Sequence, residues 1–198
     1  MIAKFRAKVL KILPIPEEEC DAYFKEVRQT KNLAAKEYFV REGEVCREMT
    51  FVNHGVLRMF YTTEDGKEIN TRFFFEDDFV AAFQSFLTQR PDRYSIQALK
   101  DCELVTIPFT RLLDAYNNSS LWGKFGRIIA EKSYISAEQY TESLLFYNSE
   151  ERYLKLLKAH PKVFEQVPLY HIASYLGIER ESLSRLRKKL AMHVENVT

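Results

Sequence analysis

Leu169-Tyr170-His171-Ile172-Ala173-Ser174-Tyr175-Leu176-Gly177-Ile178-Glu179-Arg180-Glu181-Ser182-Leu183-Ser184-Arg185-Leu186-Arg187-Lys188-Lys189-Leu190 reads as two short helices joined by a tight turn. Ile172 and Leu176 share one face of the first helix, and the small Ala173 beside them admits a close second helix. Gly177 turns the chain, because glycine takes positive φ after a helix at least cost, and Ile178 drops back between the helices. Leu183, Leu186 and Leu190 resume the helical period and leave Arg180, Glu181, Ser182, Ser184, Arg185, Lys188 and Lys189 outside. Those groups hydrogen-bond base edges and phosphates. An ordinary helix pair with a solvated basic face would share the charges, but not the coincidence of apolar spacing, small residue, turn glycine and basic second helix. The pattern is that of a helix-turn-helix.

Upstream, Asn148-Ser149-Glu150-Glu151 marks a boundary at which Ser149 is expected to cap a helix carrying Leu154, Leu156 and Leu157, stopped by His160-Pro161. Leu121 to about Tyr147 holds no proline and reads as one long helix with two stripes. Phe125, Ile128 and Ile135 form one. Trp122, Gly126, Ile129, Ser133, Ser136, Tyr140 and Ser143 form the other, spaced as in a coiled-coil seam, so a homodimer is expected along that second stripe. Ser119 or Ser120 is the expected cap, after a short helix through Leu112, Leu113 and Tyr116 that ends at Asn117-Asn118.

Between Thr30 and Pro108 the texture is of short runs rich in Val, Ile, Thr, Phe and Tyr, cut by Glu42-Gly43-Glu44, Asn53-His54-Gly55 and Glu64-Asp65-Gly66-Lys67. Strands are predicted at 32–35, 38–40, 49–53, 56–62, 68–75, 95–98 and 102–107, which close most readily as a barrel or jelly roll. The run from Val80 to Leu87 has helical spacing and interrupts them. Before the roll, Val9, Leu10, Ile12 and Leu13, then Cys20, Phe24 and Val27, suggest two short helices separated by Pro14-Ile15-Pro16. The expected division is therefore a β-roll unit with N-terminal helices over 1–118, a dimerisation helix over 119–147 and a helix-turn-helix unit over 148–198. The class is α+β.

The 198 residues, 46% hydrophobic, are ample for a buried core. No apolar run suffices to span a bilayer and the first eight residues lack a signal peptide's apolar centre, so a cytoplasmic protein without membrane partners is expected. Cys20, Cys46 and Cys102 are scattered without CxxC pairing and suggest neither disulfides nor a metal site. From Glu150 onward nine Lys and Arg stand against six Asp and Glu, making this the basic end of a chain with net charge +1.

Together these residues resemble the Crp/Fnr bacterial transcription regulators, over nearly the whole chain. Glu42-Gly43-Glu44, Gly55-Val56-Leu57-Arg58, Asp65-Gly66-Lys67-Glu68 and Asp78-Phe79 fall in that family's order, as do Ser149-Glu150-Glu151-Arg152, Ile172 to Ile178 and Arg180-Glu181-Ser182-Leu183-Ser184-Arg185. Ser85-Phe86-Leu87-Thr88-Gln89 with Leu183-Ser184-Arg185 is similar to the form common in Bacteroidetes. The resemblance implies a double-stranded β-helix, or jelly-roll, effector-type domain, a dimerisation helix and a winged-helix-like reader of inverted-repeat DNA. It assigns base contacts to Arg180, Glu181 and Arg185, and RNA polymerase is a partner by the same resemblance. Arginine forks onto guanine and glutamate accepts from cytosine. Ser182, Ser184, Arg187, Lys188 and Lys189, with Tyr170 and His171 on the preceding helix, are the expected contacts to the DNA backbone. The chain runs only to Thr198, so the wing is expected to be short or missing.

The cyclic-AMP binders of this family place a Gly-Glu pair and an Arg-Ser/Thr pair around the roll's inserted helix. Here Ala81-Ala82 replaces the first, and Arg93 is followed by Tyr94. Cyclic AMP is therefore not the expected effector. An unknown small molecule could sit among Phe79, Ala81, Ala82, Phe83, Arg90 and Arg93, with Phe75 and Phe86 near, and no cofactor is implied. The histidines offer no placed haem ligand, and the cysteines no iron–sulfur cluster. No nucleophile–base pair stands at usable spacing, and the acidic neighbours of Cys102 oppose its activation, so no enzyme is expected. The alternative is a small-molecule sensor that acts through a protein partner without DNA binding. It would show an acidic or occluded recognition face, which this sequence lacks.

Overall fold

The computed structural model describes residues 2–26 and 29–195. Val27, the side chain of His193 and the expected short wing beyond 195 lie outside the described residues. Helices α1 (Ile2–Ile12) and α2 (Glu17–Glu26) flank Pro14-Ile15-Pro16. The first turn of α2 carries Glu17, Glu18 and Glu19, where the helix dipole favours acids. Arg6 ties the two helices together through Glu17 (2.8 Å) and Asp21 (2.7 Å).

The roll follows as β1 (Gln29–Leu33), β2 (Tyr38–Val40), β3 (Glu48–His54), β4 (Leu57–Thr62), β5 (Glu68–Phe74), β6 (Phe79–Val80), α3 (Phe83–Thr88), β7 (Ser95–Ala98) and β8 (Cys102–Pro108). Its strands form two four-stranded sheets, β1-β8-β3-β6 and β2-β7-β4-β5, every pairing antiparallel. Gly55 makes the β3–β4 corner at φ +105°, where a Cβ would lie 2.6 Å from Asp101 O and Cys102 Sγ. Only glycine lets the two sheets close there.

The helix expected from Val80 to Leu87 is split. Phe79 and Val80 pair with Phe51 and Thr50 as a short edge strand, and α3 starts at Phe83. The long-range ladder overrides the local apolar period.

Beyond the roll run α4 (Phe109–Asn118), α5 (Ser120–Phe146), α6 (Ser149–Ala159), α7 (Val163–Gln166), α8 (Leu169–Tyr175) and α9 (Arg180–Glu195). Ser119 caps α5, accepting from the backbone N–H of Leu121 and Trp122. Asn148, not Ser149, caps α6: its side chain takes the Glu151 N–H while the Glu151 carboxylate takes that of Asn148, a reciprocal capping box.

The Trp122 stripe of α5, the expected seam, packs instead on its own subunit. Trp122, Gly126 and Ile129 are buried against the roll and α4, Ser133 accepts from Arg72 of β5, and Tyr140 donates to Asn70 O. Ser136 lines the space between α5 and β5. The small Gly126 admits the ring of Tyr116 from α4, not a second α5. Phe125 is buried too, in the angle between the faces, while Ile135, Leu145 and Phe146 are exposed. The aromatic bulk of Trp122 and Phe125 completes the larger core, which leaves the opposite face open.

Two apolar cores result. The larger fills the roll and takes in α1, α2, α4 and the first half of α5. The second joins Tyr153, Leu156, Val163, Val167, Ile172, Leu176 and Leu183 of the C-terminal helices to Val56 and Phe73 of the roll.

Candidate nucleic-acid interface and ligand cavity

Helix α8 ends in a Schellman turn: Ile178 N–H donates to Ala173 O and Gly177 N–H to Ser174 O, both at 3.1 Å, with Gly177 at φ +64°. Arg152 braces this turn from α6, giving hydrogen bonds to Leu176 O (2.9 Å) and Tyr147 O (2.6 Å). Leu183 is buried, with Leu186 and Leu190 packed beside it, so the rest of α9 is turned outward.

On that outer side Arg180, Glu181, Ser184, Arg185, Arg187, Lys188 and Lys189 are exposed, and Ser182 is half-buried. At about 3.6 residues per turn, Glu181, Ser184, Arg185 and Lys188 form the crest opposite Leu183 and Leu190. Arg185 Nη2 donates to Ser182 Oγ at 3.1 Å. Arg180 and Arg187 share one flank, Arg187 over the Phe164 ring at 5.0 Å, and Lys189 pairs with Glu150 at 2.6 Å.

His171 is not on this surface. Tyr170 is 56% exposed and stacks on it, but His171 is 5% exposed and faces the roll. Its Nδ1 lies 3.2 Å from Arg58 Nη1 and 3.3 Å from Asn70 Nδ2. Arg58, itself buried, also pairs with Glu68 at 2.6 Å and donates to Gln97 Oε1 at 2.6 and 3.0 Å. Ser174 Oγ accepts from Asn70 N–H and donates to Glu68 O. Rings complete the joint: Tyr175 against Phe73 and Tyr140, and His160 against Phe75. Helix α8 is thus fastened to β4 and β5. The Gly55-Val56-Leu57-Arg58, Asp65-Gly66-Lys67-Glu68 and Ile172 to Ile178 motifs hold several of these residues, but nothing local tied Arg58 to His171.

A cavity of about 610 Å³ opens between β4, β5, α3 and α5. Ala81, Ala82 and Phe83 line it as expected. Phe79 does not: it packs in the core against Phe5, Phe51 and Phe125 and borders a smaller space. Arg90 and Arg93 are exposed and outside the lining, because the loop after α3 carries them to solvent. Phe86 is buried against Phe109. The arginine in the cavity is Arg72, which nothing in the sequence distinguishes from an ordinary strand residue. It donates to Ser133 Oγ at 2.9 Å and lies over the Phe74 ring at 5.0 Å.

All three cysteines are free and buried. Burial first, then the charge of Asp101, raises the Cys102 thiol to about 11, and it donates to Lys100 O. That suits packing, not nucleophilic chemistry.

Residues 30–119 match the family model of the cyclic nucleotide-binding domain. A comparison with curated protein sequences returned no match. Among solved structures, FixK2 from Bradyrhizobium japonicum superposes with a TM-score of 0.74 at 17% identity, over 83% of this chain and 85% of that one. A CRP/FNR-family transcriptional regulator from Thermus thermophilus gives 0.63 at 18% identity, over 83% and 87%. This is the Crp/Fnr fold. The c-di-GMP-responsive regulator CLP of Xanthomonas campestris shares that Crp/Fnr architecture, with a TM-score of 0.67 at 20% identity over 90% of this chain and 93% of its own. Among the described residues no helix is long and apolar enough to cross a membrane.

Proposed function

We propose that this chain is a sequence-specific transcription regulator of Crp/Fnr type that binds inverted-repeat DNA as a homodimer and does not use cyclic AMP. The observation that carries the reading is the exposed outer side of α9: Glu181 on its crest and Arg180 on its flank stand exposed at the N-terminal end, beside the tight turn that would seat them in a major groove. Arg180, Glu181 and Arg185 are the base readers, and Ser184 and Lys188 the nearest phosphate contacts. The open face of α5, with Ile135, Leu145 and Phe146, is the surface offered to a second copy. In this reading 1–118 receives a signal, 119–147 pairs the subunits and 148–198 reads DNA.

Cyclic AMP fits the cavity poorly. Ala81 and Ala82 have no oxygen for a ribose hydroxyl, and Asp92, the single carboxylate of the lining, is engaged by the Arg93 N–H at 2.7 Å. Each bidentate base contact discriminates by about 1–3 kcal/mol. Gel shifts with the cognate and a scrambled palindrome test the assignment. Arg180→Ala and Arg185→Ala are each expected to erase about ten- to hundredfold of discrimination, and full retention by both overturns the named readers.

A further inference from the structure

We propose that the cavity between β5 and α5 binds a small amphiphilic monocarboxylate, with its carboxylate held by Arg72. The walls include Met59, Ile69, Phe83, Leu87 and Leu144, so the body of the ligand is apolar. Into this lining β5 projects one cation, Arg72. Among the described residues that guanidinium donates one hydrogen bond, to Ser133, and makes no ion pair. Arginine has five N–H donors in a planar fork and stays charged in proteins, so an unpaired one beside an apolar space is costly until an anion arrives. Burial lowers the Arg72 pKa from its ordinary value; Asp78, whose charge opposes that shift, makes no ion pair with it and already accepts the Phe75 N–H.

A carboxylate matches the fork in shape, with two oxygens for two parallel N–H groups. One cation calls for one negative charge. Asp92, also in the lining, would repel a second, which disfavours phosphomonoesters and dicarboxylates. The volume of about 610 Å³ falls in the range of sites for compact organic ligands. Arg72 lies two residues along β5 from Asn70, which touches His171 of the reader domain, so the ligand site and the interdomain joint share a strand. The proposal names the effector of the regulator described above and rests on that reading for its purpose, though not for its binding.

Titration calorimetry on the full chain without DNA tests it, with decanoate and phenylbutyrate each compared with its own primary amide and with cyclic AMP. Each acid is expected to bind at least about tenfold more tightly than its amide, as a charge-assisted pair requires. Arg72→Met is expected to erase that preference. Ala137→Trp, which adds bulk to the cavity from an exposed turn of α5, is expected to abolish binding of acid and amide alike. Equal binding of acid and amide, binding of neither, tighter binding of cyclic AMP, an acid preference that survives Arg72→Met, or unchanged binding by Ala137→Trp overturns the proposal. Because no DNA is present, failure here leaves the DNA-reading assignment standing, and failure of DNA binding leaves this result intact.

Discussion

Arg58 of the roll and His171 of α8 meet in a buried hydrogen bond of 3.2 Å, across 113 residues of sequence. Arginine has only donors, so His171 Nδ1 accepts and the imidazole is neutral with its proton on Nε2. Burial, and then the charge of Arg58, lowers the His171 pKa to about 4. Arg58 of β4 and Asn70 of β5 face the ring, and Glu68 of β5 pairs with Arg58.

The joint should therefore weaken in acid. An undocked His171 titrates near its ordinary 6.5, so docking is fully supported above that pH and loses support as pH falls from 6.5 toward about 4, where the undocked form binds a proton that the docked form refuses. His160, also lowered by burial, adds in the same direction. Hydrogen exchange of α8 should accelerate across this window in the native chain. His171→Gln, which keeps an acceptor but cannot titrate, should flatten the part that His171 supplies. An unchanged pH profile in that variant would remove His171 from the account.

Truncating Arg58 probes the same contact at neutral pH. Arg58→Met leaves the Nδ1 of His171 without its strongest donor and Glu68 without its cation, at a cost of about 1–3 kcal/mol. The loss should appear as faster exchange in α8 and in the β4–β5 pair, with β1, β3 and β8 unaffected, because only the former contact the joint.

Two substitutions separate the faces of α5. Gly126→Ala drives a methyl into the Tyr116 ring and should cost about 1–3 kcal/mol while leaving the oligomeric state unchanged. Its melting temperature should fall about 2–4 °C per kcal/mol. Ile135→Glu, on the open face, should leave the melting temperature of the subunit nearly unchanged and shift sedimentation toward the monomer. The reverse pattern would restore the Trp122 stripe as the seam.

These corrections mark where local pattern stops being informative. Strands at 38–40 and 95–98, the turn at Gly177 and the outward charges of α9 were legible because each follows from spacing and turn chemistry within a few residues. The long helix was legible as an element, but period alone shows that Trp122 and Ile135 lie on different faces, not which face meets the roll. Trp122 was settled by Tyr23, whose ring centroid is 4.1 Å away from α2, a contact between distant segments. Arg72 and Arg93 likewise look alike in sequence. Only the pairing of β5 with β4 and the packing of α5 over it set one at the cavity and leave the other in solvent. The Arg58–His171 bond had no local signature.

The base readers and phosphate contacts proposed for α9 should differ in their response to salt. Lys188→Ala should weaken cognate and scrambled DNA about equally and reduce the salt slope by about one, since it loses one phosphate contact. Arg180→Ala should instead compress the gap between the two DNAs. Binding measured from low to moderate salt distinguishes the roles.

Selection of bound sites from a pool of random duplexes by the full chain addresses the claim that it reads DNA as a symmetric pair. The expected result is enrichment of one inverted repeat, its half-sites centred about 10–10.5 bp apart or a multiple of that, lost in Arg180→Ala. A pool that emerges unenriched, or enriched equally by the native chain and by Arg180→Ala, would contradict it.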